Sequence, residues 1–182
     1  MKLSHTKEDF IRAAKTANLV TVSTELTMDL DTPVSIYYKL VGEKKGYIME
    51  SVDTTQQQFG RYSFIGGEPF VRVQVFADKL LINENGLMKS ISGAPHDTMK
   101  KYAAHFTPAE DKEQLPLVHG GLAGYFSYEA AATFDRVRGV HLGDEQLLGQ
   151  FMMCRYLVVY DALRNSARLH YLADIKEGDD AG

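Results

Sequence analysis

Apolar residues in this chain change their spacing along its length. Phe10, Ile11, Ala14 and Ala17 recur at three- and four-residue intervals, the signature of one face of an amphipathic helix. Thr6 is placed to cap that helix with Asp9 three positions on, an acidic variant of the capping box. After an extended stretch from Leu19 to Val22, the run Asp31-Thr32-Pro33-Val34-Ser35-Ile36-Tyr37-Tyr38-Lys39-Leu40 reads as a second helix. Thr32 would be its cap and Pro33 would occupy the first turn, where a missing N–H is harmless; Gly42 would end it. This helix delivers the chain to a strand that carries Glu50 and Ser51.

From there to Ser92 the period falls to two. Val71, Val73 and Val75 alternate with Arg72 and Gln74, giving one face for a core and one for water. Asn85-Gly86, between the apolar segments Leu80 to Ile82 and Leu87 to Ile91, is a hairpin signal because both residues tolerate positive φ. Met99, Tyr102, Ala103 and Phe106 return to helical spacing behind Asp97 as a possible cap, which gives a third helix able to cover the sheet. Gly120-Gly121-Leu122-Ala123-Gly124-Tyr125-Phe126-Ser127-Tyr128 then reads as a strand closely approached by another backbone. Leu147 to Tyr160 is long and apolar, and Asp161 to Ser166 turns it back into Ala167 to Leu172 as a second hairpin.

The expected class is therefore α+β, with mostly antiparallel sheets packed together and flanking helices. Helices are expected near 6–17 and 33–41, and strands near 46–52, 61–66, 70–77, 80–91, 121–128 and 149–172. One domain is expected over 1–174, followed by an acidic, Gly-containing linker or frayed end over 175–182.

Composition narrows the function classes. A chain of 182 residues, 45% hydrophobic and 24% charged, can bury a substantial core as one domain or two small ones. No apolar run approaches the ~18 residues of a bilayer span, and the first residues do not resemble a secretory signal, so a cytoplasmic protein without a membrane partner is expected. The 20 basic residues are scattered and the net charge is -4, which argues against nucleic acid. Cys154 sits in the apolar run Phe151-Met152-Met153-Cys154 and reads as a buried thiol rather than a nucleophile. The 6 histidines show no metal-ligand spacing. Neither a Gly-x-Gly-x-x-Gly fingerprint nor a P-loop ending accompanies Gly120, Gly121 and Gly124, and no triad or nucleophile elbow can be assembled. From its residues alone the chain is a non-catalytic α+β domain.

Five segments add a resemblance, in this order: Asp31-x-Thr-Pro-Val-Ser-Ile-Tyr, Met49-Glu50-Ser51, Gly60-Arg61-Tyr62-Ser63-Phe64-Ile65-Gly66, Gly120-Gly121-x-x-Gly124-Tyr125-x-Ser127-Tyr128, and Val158-Val159-Tyr160-Asp161. Together they resemble the amino-terminal, regulatory part of anthranilate synthase component I. Met49 replaces the family's commoner leucine, and Glu129 its commoner aspartate.

The resemblance implies a feedback site for L-tryptophan lined by Met49, Glu50, Ser51, Arg61, Tyr62 and Ser63, with no catalytic and no metal-binding residue in this chain. It implies as partners the carboxy-terminal chorismate-binding part of the same subunit and a glutamine amidotransferase subunit, component II. The complete subunit would convert chorismate to anthranilate and pyruvate with Mg2+, and the chain is expected to stop before that catalytic part and to be inactive alone. Two alternatives stand beside this reading: an aminodeoxychorismate synthase component I relative, and a free-standing amino-acid-binding or scaffold domain.

A tryptophan site needs an acceptor for the ammonium, donors for the carboxylate and an apolar slot for the indole. Glu50 can supply the first and Ser51 part of the second. The planar fork of Arg61 suits a carboxylate, or it can pair with Glu50 and orient it. Met49, Tyr62 and Ser63 could line the rest. The plainer alternative is that Glu50-Ser51-Val52-Asp53 leaves a strand for a solvated turn.

Overall fold

The computed structural model describes residues 2–28, 30–50, 61–109, 121–135, 139, 141–143 and 145–176. Helix α1 (Lys7–Ala14) leads into β1 (Leu19–Thr27), α2 (Pro33–Leu40) and β2 (Gly46–Glu50). Next come β3 (Tyr62–Val75), β4 (Lys79–Glu84), β5 (Leu87–Ser92) and α3 (Pro95–Ala103). The chain then forms β6 (Ala123–Phe126), a 3-10 turn (Tyr128–Thr133), β7 (Gly149–Asp161) and β8 (Ser166–Asp174). Strand order is β1-β8-β7-β3-β4-β5, with β2 added on β3 and β6 on β7. The strand registers are antiparallel throughout, as expected of the α+β class.

Two compact units divide these elements: Met1–Pro69 with Thr107–Gly120 and Cys154–Gly182, and Phe70–Phe106 with Gly121–Met153. In the first, β1 pairs β8 along its whole length, from Leu19↔Asp174 to Thr27↔Ser166. β1 runs well beyond the expected Val22 because its polar residues are satisfied at an edge. Ser4 N–H donates to Ser23 O, Ser23 N–H to Ser4 Oγ, and Thr24 Oγ1 to Lys2 O. Helix α2 forms as expected, with Thr32 and Ser35 exchanging side-chain and backbone bonds in a capping box and Gly42 at φ +58° beyond the end. It buries Ile36 against Val41, Ile65, Val158, Tyr160 and Ala167, with Ile48, Tyr37 and Leu169 packed around them. Helix α1 is capped by Thr6 as expected, but Phe10, Ile11 and Ala14 stay half-buried and Ala17, just beyond it, is the buried residue of that set.

Residues 61–66 and 70–77, expected as two strands, form most of one strand, Tyr62–Val75. Pro69 lies between the ladder with β2, which ends at Gly67, and the ladder with β4, which starts at Val71. Glu68 takes φ +54° where the strand passes from one ladder to the other. Gly66 and Gly67 point to opposite faces, and each is covered by a ring, Tyr47 over the first and Tyr156 over the second, where a Cβ would collide. Tyr156 is fixed in turn by donating to Leu40 O at 2.6 Å.

In the second unit, Val71, Val73, Val75, Leu80 and Ile82 are buried with Tyr102 and Leu148. Helix α3 starts one turn earlier than an Asp97 cap requires: Ala94 is the cap residue, Pro95 follows it, and Asp97 falls in the first turn. Its buried stripe is Pro95, Thr98 and Tyr102, while Ala103 faces water. Gly124 and Gly149 are glycines because β6 and β7 approach each other too closely for a Cβ at either position. Tyr128, expected in that strand, opens the 3-10 turn instead.

The β4–β5 hairpin turns through Asn85 at φ +51° and Gly86 at φ +90°. Gly86→Val should destabilise the protein by about 1–2 kcal/mol, since a β-branched residue is strained at positive φ. The midpoint of a urea unfolding curve would fall correspondingly; an unchanged midpoint would contradict this account of the turn.

Candidate functional site

Strand β2 joins β3 through five paired positions, from Gly46↔Gly67 to Glu50↔Ser63. Directly opposed residues in an antiparallel ladder point to the same side, and neighbours along a strand to opposite sides. Glu50 and Ser63 therefore share the face of Ile48↔Ile65, whose side chains belong to the α2 core. Met49 opposes Phe64 on the other face, together with Tyr62. Ser63 is buried, whereas Glu50 and Met49 are exposed. The candidate site residues are thus split between two faces; among those described, Glu50 and Ser63 oppose each other across the two strands. Ser51 lies outside the described residues.

Arg61 does not pair with Glu50. Its Nε donates to Asp161 Oδ1 at 2.8 Å and its Nη2 to Asp161 Oδ2 at 2.5 Å, a two-pronged fork that occupies one edge of the guanidinium. The guanidinium carbon sits 4.8 Å from the Tyr62 ring centroid. Ala162 N–H donates to Arg61 O at 2.9 Å, so backbone and side chain both hold this residue. Asp161 Oδ1 also accepts from Leu163 N–H at 3.0 Å and Arg164 N–H at 3.3 Å, which shapes the turn from β7 to β8.

The fork, followed by the turn amides, holds the mostly buried Asp161 carboxyl below its ordinary value of 3.8 and raises Arg61 further. Sequence reasoning read Asp161 as a strand end and the first residue of a turn, with no partner. The available signal was an acid closing a long apolar run immediately before a turn.

Cys154 is free and buried, and burial pushes its thiol up to about 12, which suits a packed residue rather than a nucleophile. Burial, then the neighbouring Cys154, pushes Tyr47 up to about 12. A groove of about 400 Å³ opens beside α1, lined by His5, Asp9, Arg12, Thr16 and Pro108 among others, none of them a motif residue. Among the described residues no group of three or more His, Cys, Asp or Glu could hold a metal ion, and no helix is long and apolar enough to cross a membrane.

No family model matches the chain. Individual proteins do. Anthranilate synthase component 1 of Acetivibrio thermocellus is 29% identical over 164 residues, covering 89% of this chain and 32% of that protein. The protein of that name from Neisseria gonorrhoeae is 31% identical over 177 residues, 92% of this chain and 35% of its own length. That from Pseudomonas putida is 30% identical over 183 residues, 94% and 36% respectively. The resemblance thus extends over nearly the whole chain, which spans about a third of the length of the curated relatives it matches, consistent with an amino-terminal part.

The fork makes a pH-dependent prediction. A carboxyl whose folded value is depressed adds stability above its unfolded value and loses it as pH falls through the folded one. The contribution of Asp161 should be complete above about pH 5 and fade below its ordinary 3.8. Asp161→Asn should lower stability at neutral pH by about 1–3 kcal/mol, toward the lower end where solvent reaches the bond. Unfolding midpoints of parent and variant should converge as pH drops from 6 toward 2, on the order of the span set by these values. A gap that is constant with pH would exclude the carboxylate as its source.

Proposed function

We propose that this chain is the amino-terminal, tryptophan-sensing part of an anthranilate synthase component 1. The observation that carries the reading is similarity to proteins of that name over about nine tenths of the chain, across about a third of their length. On this reading the complete subunit converts chorismate to anthranilate and pyruvate, with ammonia supplied by a glutamine amidotransferase subunit, component II. On the same reading Mg2+ would be held in the chorismate-binding part. The protein would act in tryptophan biosynthesis in the cytoplasm, and tryptophan would restrain its own synthesis.

The ligand chemistry fits the Glu50↔Ser63 pair of the β2–β3 ladder. Glu50 offers a carboxylate to the tryptophan ammonium, and Ser63 a hydroxyl on the same side. Ser51, next along the chain, would supply a hydroxyl and an amide to the tryptophan carboxylate. Met49 and Tyr62, on the opposite face, would support the ladder rather than share a pocket with Glu50. Because the Arg61 fork is occupied by Asp161, Arg61 would act at the site through position rather than as a free carboxylate clamp. Inhibition requires that tryptophan bind more tightly to a less active state of the subunit.

A seryl hydroxyl bonded to a charged ligand group contributes about 1.5–3 kcal/mol, about one to two decades of affinity. In the complete subunit, Ser51→Phe should raise the tryptophan concentration for half-inhibition by at least that much and leave uninhibited turnover unchanged. Ser92→Ala, away from the motif, should follow the parent curve. Unaltered sensitivity in Ser51→Phe would remove the sensing role. The chain alone, given chorismate, Mg2+ and ammonia, should produce no anthranilate fluorescence above a protein-free control; turnover would refute the division of labour.

A further inference from the structure

We infer that the aromatic surface made by Phe126, Phe151, Phe134 and His96 is where the chorismate-binding part of the same subunit seats on this chain. This rests on the reading of the chain as one part of an anthranilate synthase component 1.

In the β6–β7 ladder Gly124 opposes Phe151, and Phe126 opposes Gly149. Opposed residues share a side, as do residues two apart along a strand, so both rings lie on one face, each beside a glycine. A Cβ on Gly149 would stand 2.9 Å from Phe126 Cδ1, so the glycine makes room for the ring. The two ring centroids are 4.8 Å apart. Phe134, just past the 3-10 turn, stands edge-on to Phe126 at 5.7 Å and meets His96 of α3 at 5.5 Å. All four rings belong to the second compact unit.

Rings packed this closely are expected in a core, yet these face outward. Phe126 is 42% exposed and Phe134 51%; His96 is exposed and Phe151 half-buried. Single exposed apolar residues are ordinary, and Leu87 and Met88 are of that kind, neighbours on β5 that point to opposite sides. Four rings in continuous contact at the surface mark an interaction site instead.

The size of the patch selects the partner. An aromatic side chain buries about 150–250 Å², so four that are roughly half covered have on the order of 400 Å² left to bury. Separate proteins in a stable complex bury about 800 Å² each and give up their independent translation and rotation. A partner on the same polypeptide is spared most of that loss, because the connection holds its effective concentration on the order of millimolar. The chain spans about a third of the length of the relatives it matches, so on the proposed function the rest of the subunit is such a partner. It would meet the rings with an apolar surface of its own.

The test uses the complete subunit, with the photo-reactive residue p-benzoylphenylalanine in place of Phe126 or Phe134. Irradiation should join each position to peptides of the chorismate-binding part, outside these 182 residues, as read by mass spectrometry. The same residue in place of Leu87, exposed on β5, should give no such peptide. Links confined to the 182 residues would overturn the inference. So would links to a second copy or to component II in place of the chorismate-binding part, or equal linking from position 87.

A measurement without substitutions guards against a perturbed fold. In the parent subunit, hydroxyl-radical labelling corrected for intrinsic reactivity should spare Phe126 and Phe134 relative to Leu87. Labelling in proportion to their exposure in this structure would also overturn the inference. A subunit that forms anthranilate but fails these tests keeps the functional reading and loses the seating surface. If the complete subunit forms no anthranilate from chorismate, the functional reading falls and takes the inference with it.

Discussion

The bidentate bond between Arg61 and Asp161 ties together three features that the chain separates widely: the entry to β3, the end of β7 and the turn into β8. A carboxylate as buried as Asp161 is favourable only when its acceptors are matched, while solvent still reaches Arg61. Asp161 meets that condition by serving Arg61 and two turn amides at once, and Arg61 adds the face of Tyr62. Removing either partner would leave the other in a place suited only to the pair.

Local signals were legible because their physics is local. Thr32-Pro33 with Gly42 bounds α2, Thr6 caps α1, and Asn85-Gly86 turns β4 into β5, each through interactions within a few residues. The glycine run around Gly124 was read as a close backbone approach, and Gln150 and Phe151 are the residues that make it close. The two strands expected at 61–66 and 70–77 are one because which positions of β3 meet β2 and which meet β4 is settled by distant segments. Asp97 has the residue type of a cap, yet Pro95 fixes the helix start and leaves Asp97 inside the first turn.

The same division of labour governs the site. That Glu50 and Ser63 lie side by side follows from register, which no spacing rule connects across residues 50 and 63. That Arg61 is bound to Asp161 rather than to Glu50 depends on the β7–β8 turn reaching it. Both residues were already prominent in the sequence as parts of separate motifs, but nothing in either motif points to the other.

Accounting for motif residues by packing narrows what remains for a ligand. Gly66 and Gly67 are required by the tyrosine rings above them, Gly124 by its neighbouring strand, and Arg61 with Asp161 by each other. Thr32, Pro33 and Ser35 are explained by the start of α2. None of these arguments uses the carboxylate of Glu50, an exposed acid standing opposite a buried serine on a face otherwise given to Ile48, Ile65 and the α2 core. Glutamate is a weak strand former, so strand propensity gives little reason for an acid there. In the proposed function that carboxylate is the acceptor for the ammonium of the ligand.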